Sequence, residues 1–352
     1  MEQFTDIFLM LLLVAGALSV LYVRNLFVAT MLLGAVSFIM ALIFVSLDAV
    51  DVAFTEAAVG AGISTVLYLG TLALVGSDEK PARRRALVPL LVSLLVGTAL
   101  VYATFDMPAF GRADNPVQTH VAPRYIEESP KEIGVPNMVT SVLASYRGFD
   151  TFGEVTVIFT AGIGVLLILS QLRRRREDEA DLTDGPDTDT NMDNDAAASA
   201  SPAERVGSEH DLVPHVVAKL LIPFILLFAL YVQFHGDFGP GGGFQAGVIF
   251  AAGFILYSLI FGLHFTRQIV STRLVKFLLA LGVVLYGGVG VVSLFLGGNF
   301  LDYNVLSADP VAGQHLGILL VELGVGITVT AAMIAIFYAF AGRAEGRGND
   351  IN

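Results

Sequence analysis

The chain has 352 residues, 55% hydrophobic and 15% charged, with a formal net charge of −12. Soluble domains carry about 25% charged residues, so this deficit, with several long apolar runs, marks an all-α integral membrane protein; no basic patch with interleaved aromatics points to nucleic acid. With no cysteine, disulfides, thiolate zinc sites and iron–sulfur ligation by this chain are excluded, and no phosphate loop or dinucleotide fingerprint is present, so no cofactor or metal is expected.

The opening Met1-Glu2-Gln3-Phe4-Thr5-Asp6 is acidic where a secretory signal needs positive charge. The run from about Asp6 to Val23 therefore reads as a first span. Arg24-Asn25 makes a short turn, Phe27 to Leu47 a second span, Asp48 to Asp51 an acidic turn, and Val52 to Gly76 a third span. That third span carries Glu56 among Ala57, Ala58, Gly60, Ala61 and Gly62. Small residues let membrane helices pack closely. A carboxylate on such a helix faces headgroup water or finds a partner or a wet cavity. A basic loop to Arg85 precedes a fourth span, Ala86 to Thr104.

Phe105 to Val135, with prolines at 108, 116, 123 and 130, reads as an irregular, solvent-facing loop or cap. Asn137 to Arg147 reads as a short interfacial helix. Asp150 and Glu154 are four apart and share a helix face at the entrance to a fifth span ending near Leu172. They repel unless a cation or proton lies between them; alternatively they serve the positive end of the helix dipole, Asp150 as its cap. Arg173 to Arg176 stops the span. Glu177 to about Asp211 is acidic and nearly without large apolar groups, and reads as a disordered linker.

The C-terminal part opens with a span from about Pro214 to Phe234, in which Lys219 snorkels. There follows a turn, His235-Gly236-Asp237-Phe238-Gly239-Pro240-Gly241-Gly242-Gly243-Phe244-Gln245. A tight loop with an interfacial histidine is one reading. The other is a shaped element, since glycine permits positive φ, successive amides can form an anion nest, and Phe238 and Phe244 suit a turn folded against protein. Three more spans run from about Gln245 to Leu263, Val275 to Leu296 and Gly313 to Phe340. Glu322 lies roughly two turns inside the last, where a charge is costly unless enclosed by protein or protonated. His315 lies on roughly the same face.

Loops rich in Lys and Arg alternate with loops that have none. This predicts about nine transmembrane helices, N-terminus outside and C-terminus inside, with the linker in the cytoplasm and the glycine turn outside. Only the long loop from Phe105 to Asp150 breaks the alternation, with four basic residues among six acidic ones.

Three strings resemble known families. The turn His235-Gly-x-x-x-Pro240-Gly241-Gly242-Gly243-Phe244-Gln245-x-Gly247 between two spans is similar to the signature of the B subunit of Mrp-type (Mnh-type) multisubunit cation/proton antiporters, over about Val213 to Gly342. Asp51-Val-Ala-Phe-Thr-Glu56-Ala-Ala-Val-Gly60-Ala-Gly62 resembles a module near the C-terminus of the antiporter A subunit. That module is a separate D subunit in membrane-bound hydrogenases and is similar to part of a J-like subunit of respiratory complex I. Val139 to Glu154, with Tyr146-Arg147-Gly148-Phe149-Asp150-Thr151, resembles the E-type subunit of hydrogenases and the extreme C-terminus of the antiporter A subunit.

These resemblances imply a fusion: a D-type module with the start of the E-type over 1–104, the rest of the E-type over 105–172, the linker over 173–212, a B-subunit module over 213–342 and a polar tail over 343–352. They imply a multi-pass subunit in a bacterial or archaeal cytoplasmic membrane. It would act in Na+/H+ exchange beside the A-type core and C, D, E, F and G types. A membrane arm of a redox-driven complex and a purely structural adaptor are the alternatives. The candidates for an ion or proton path are Glu56, Asp150, Glu154, His235 and Glu322. Those for the shaped turn are Gly236, Pro240, Gly241, Gly242, Gly243 and Gln245.

Overall fold

A computed structural model describes residues 2–79, 87–109, 111–183 and 212–349. The described residues are helical apart from turns and one isolated bridge between Asn25 and Asp78. Nine of their helices are long and apolar enough to cross a membrane.

The first section is α1 (Glu2–Tyr22), α2 (Leu26–Ser46) and a composite third span: α3 (Val50–Thr55), a π-helical stretch (Glu56–Ile63) and α4 (Ser64–Val75). Asn25 caps α2, its side chain accepting from the Val28 amide at 3.1 Å. α5 (Leu87–Thr104) has no buried residue. Four short helices follow: α6 (Pro116–Thr119), α7 (Ala122–Glu132), α8 (Met138–Thr140) and a π turn (Ser141–Tyr146). They lead into α9 (Gly148–Thr183), whose membrane-length part is Gly148–Leu169. The last section is α10 (Leu212–His235), α11 (Gly243–Phe261), α12 (Leu263–Ile269), α13 (Thr272–Phe295), a 3-10 turn (Tyr303–Leu306) and α14 (Pro310–Asn349).

α14 is the most buried of the spans and the axis of the fold; α9, α11 and α13 pack around it, and α4 touches it from the first section. Lipid is as apolar as leucine, so close fit rather than apolar attraction brings such helices together. The fit is visible where α13 crosses α14. A β-carbon on Gly282 would collide with the Gly324 carbonyl and with Thr328. Leu279, Ile318, Val321 and Val329 fill the fully buried centre. Two buried tyrosines tie it to the middle section: Tyr286 Oη donates to the Gly148 carbonyl at 2.7 Å and Tyr303 Oη to that of Ala144 at 2.9 Å.

Two expectations change. The stretch 105–135 holds α6 and α7: Pro116 and Pro123 sit in first turns, where no amide needs a partner, while Pro130 lies inside the last turns of α7. Arg124–Glu132 and Lys131–Glu128 pairs brace α7, while Ser129, Ile133 and Val135 are buried. The fifth helix also continues past Arg173–Arg176 to Thr183, since arginines have good helix propensity and end a span without ending a helix. The rest of the expected linker, 184–211, lies outside the described residues.

Candidate functional site

The glycine turn is folded back against the protein from two directions. Asn137 donates its side-chain amide to the carbonyls of Gly236 (3.0 Å) and Gly239 (2.9 Å), and its backbone amide to that of Asp237 (2.9 Å). Thr140 Oγ1 donates to the Gly236 carbonyl at 2.7 Å. From the opposite side, the Gly241 amide donates to Asp51 Oδ1 at 3.3 Å. Gln245 Nε2 donates to Thr55 Oγ1 at 2.8 Å. The third span and the segment before α9 therefore clamp a turn that lies about a hundred or more residues away in sequence.

Two glycines are required by geometry. Gly242 has φ +110°, a region that side chains enter only with strain. Gly243 begins α11 so close to α14 that a β-carbon there would collide with the Glu322 carbonyl. The turn thus delivers its backbone onto the one acid deep in α14.

Beneath the turn lies a cavity of about 250 Å³. Asp51, Glu154 and Glu322 line it from three spans, with the hydroxyls of Thr55, Thr140 and Thr151 and the backbone of Gly241–Gly243. No Lys, Arg or His is among its lining residues. Its carboxylates are spread around the walls rather than gathered on one point: among the described residues, no group of three or more His, Asp or Glu could hold a metal ion. Among the described residues Glu322 has no hydrogen-bond or ion-pair partner, so its carboxylate is left to the cavity. Such an arrangement offers carboxylate and hydroxyl oxygens with no cationic side chain beside them.

The sequence candidates separate. Glu154 and Glu322 share the cavity. Glu56 does not; its carboxylate lies in the groove between the π stretch and α2, beside Gly60 and Ser37. Asp150 is exposed at the start of α9 and is held by Arg147, with Nε 2.7 Å from Oδ2. His235 stacks on Tyr231 at 4.9 Å between ring centroids and lines a different, apolar groove with Pro240 and Phe228. Phe244 packs against the core, as expected, but Phe238 is 67% exposed, its ring turned outward because the chain doubles back at His235 to Gly239.

Four residues complete the site that spacing did not single out as site residues: Asp51, Thr55, Asn137 and Asp237. Asp51 and Asp237, as acids next to a span, carried a signal; Thr55 and Asn137 carried none. Asp237 lies in the turn, with its Oδ2 3.6 Å from His315 Nδ1. Burial pushes its carboxyl above the usual carboxylate range, and the nearby His315 ring offsets part of that rise. At the rim, burial first and Glu132 second push the Tyr146 hydroxyl up to about 12; it donates to Glu132 Oε2 at 2.5 Å.

Comparison with known proteins sets this site in context. A model described as a domain related to the MnhB subunit of Na+/H+ antiporter matches residues 213–335. MnhB2 of Staphylococcus haemolyticus, a putative antiporter component, is 34% identical over 137 residues, which are 38% of this chain and 96% of that relative. The chain belongs to the MnhB family of antiporter subunits. Ahead of this MnhB section, models of the MBH D and E subunits match residues 11–77 and 83–184. A probable K+/H+ antiporter A/B subunit of Rhizobium meliloti is 27% identical over 325 residues, 88% of this chain and 31% of that protein. A chain in the structure of the Mrp complex from a Dietzia species superposes with a TM-score of 0.71 at 27% identity, covering 95% of this chain and 34% of that one. This MnhB-family chain thus spans about a third of the length of these two longer proteins.

Proposed function

We propose that this chain is a membrane subunit of an Mrp-type monovalent cation/proton antiporter, and that the cavity beneath the glycine turn is a stretch of its ion or proton route. One observation carries the reading. An acid more than three turns inside the most buried span, with no hydrogen-bond or ion-pair partner among the described residues, opens into a cavity walled by two further carboxylates and by no cationic side chain. A purely structural acid would be expected to have a partner.

The names of the relatives include both Na+/H+ and K+/H+ exchange, so the reading extends to monovalent cations as a class, with Na+ the ion of the MnhB description. The chain works beside a large antiporter core and smaller subunits in a bacterial or archaeal cytoplasmic membrane. Its orientation follows from the basic loops: N-terminus and glycine turn outside, C-terminus inside. The matches to the MBH D and E subunits favour a second reading, the membrane arm of a redox-driven complex. Partner chains carrying cysteine-rich cluster motifs in the purified assembly would decide for it.

The test is Glu322→Gln in the whole complex. Glutamine keeps the shape and the hydrogen bonding but cannot titrate. Assembly should persist while cation-dependent proton flux into vesicles falls about tenfold or more. Undiminished flux would refute the reading.

A further inference from the structure

Resting on that reading, we infer that His315 and Asp237 form a proton relay between the outer surface and Glu322. The three groups descend in order. His315 lies in the first turns of α14, and its side chain is 39% exposed. Asp237, on the facing turn, is 20% exposed, with its Oδ2 3.6 Å from the ring Nδ1. That gap exceeds a direct hydrogen bond and closes with a small shift or one bridging water. Next to Asp237, Gly236 lies against the acid below: a β-carbon there would be 3.1 Å from Glu322 Oε2. His315 and Glu322 are seven residues apart on one helix, about 10 Å along its axis, and Asp237 sits on the facing turn beside them.

The other ring nitrogen completes the relay. Nε2 has no hydrogen-bond partner among the described residues and faces Gly134, where a β-carbon would stand 3.5 Å away. Outer water can therefore give a proton to Nε2 while Nδ1 gives its own to Asp237. One N–H bond forms and one breaks, and the ring returns by exchanging tautomers. Asp237, now a carboxylic acid, passes the proton to the Glu322 carboxylate through water and becomes a carboxylate again. Burial of Asp237 favours its protonated form and so suits it to a carrier. The Asp237 anchor is fixed, since its own carbonyl is held by the Asn137 amide.

The remaining charged groups on the surrounding elements are engaged or turned away. Glu132 at the end of α7 is held by Arg124 and Tyr146. Asp309 accepts from the Val311 amide, and Asp302 from that of Asn304. Asp51 accepts from Gly241, Arg147 pairs with Asp150, and His235 stacks on Tyr231. Glu154 shares the cavity from α9, but Asp237 and Asp51 are the acids that act on Glu322, which among the described residues has no partner of its own.

The experiment uses the purified whole complex in proteoliposomes, with His315→Ala, His315→Gln, Asp237→Asn and Glu322→Gln. Antiport is followed with and without added imidazole, whose neutral form can carry the proton that the missing ring carried. His315→Ala and His315→Gln should each slow antiport about tenfold or more. Imidazole should restore the alanine variant and leave Asp237→Asn slow. A packing role for the histidine would show no such rescue. If His315→Ala fails to assemble, His315→Gln decides: slow antiport supports the relay and a wild-type rate overturns it. Wild-type antiport in His315→Ala, or a defect indifferent to imidazole, also overturns it. Because Glu322→Gln is measured alongside, the failures separate: if it is silent, the reading of the cavity falls; if it is defective while His315→Ala is silent, only the relay falls.

Discussion

Gly242 combines a positive φ with a crowded neighbour: a β-carbon there would be 3.0 Å from Glu322 Oε1. Gly242→Val should therefore cost about 1–3 kcal/mol in backbone strain, with overpacking adding to it. His235→Gln alters a ring that only lines the apolar groove, so it should leave the fold nearly intact. The yield of intact complex and its thermal midpoint would show the order; equal effects would contradict it. Asp237 offers a prediction with a sign. Its folded-state pKa is raised, so the folded chain binds that proton more tightly than the unfolded one. Stability is then lost as pH climbs from the ordinary carboxylate value to the raised one. Asp237→Asn should raise the thermal midpoint at neutral pH, and the gain should vanish in acid. A midpoint gain with a transport loss is a combination that simple misfolding does not produce.

At the scale of elements, the segment before α9 holds the turn through Asn137 and Thr140, and Asn137 makes the larger share of the bonds. Asn137→Ala would strip donors from the Gly236 and Gly239 carbonyls, at about 1–3 kcal/mol for each buried group left unpaired. Gly236 keeps Thr140, so the loss concentrates at Gly239. Hydrogen exchange at the turn amides in the assembled complex should quicken in this variant; unchanged exchange would mean the clamp lies elsewhere. This clamp also marks the limit of what the sequence shows. The spans were legible because apolar length is a local property, and the turn because its whole string of five glycines with His235, Pro240 and Gln245 between two spans resembles a family signature, although a tight loop was also open on spacing alone. Glu322 stood out because a charge at that depth is costly anywhere. Asn137 and Thr55 looked like ordinary loop and helix residues, because their partners lie 99 and 190 residues away and spacing carries no trace of that. α7 was hidden by Pro123, which works as a helix starter, and by Pro130, which the helix accommodates near its end; the outward turn of Phe238 was hidden by a chain reversal that composition does not encode.

For the whole molecule, the sections before and after residues 184–211 meet through α9 against α13 and α14, α4 against α14, and the clamps on the turn. A protease site placed within 184–211 and cut in the purified complex should leave both fragments co-eluting, because these contacts hold without the covalent link. Release of either fragment would refute this. α5, with no buried residue, contributes nothing to that union.

The junction at Thr55 and Gln245 joins stretches that the staphylococcal relative cannot hold together, since it corresponds to only 38% of this chain. Where the two stretches are separate polypeptides, closing the cavity is an encounter between molecules, governed by how much of each is made. Here both walls leave the ribosome on one strand. Their meeting is unimolecular, at an effective concentration set by the length of chain between them rather than by the supply of a second polypeptide. Gene dosage cannot unbalance them, and diluting the membrane with excess lipid should not open the seam.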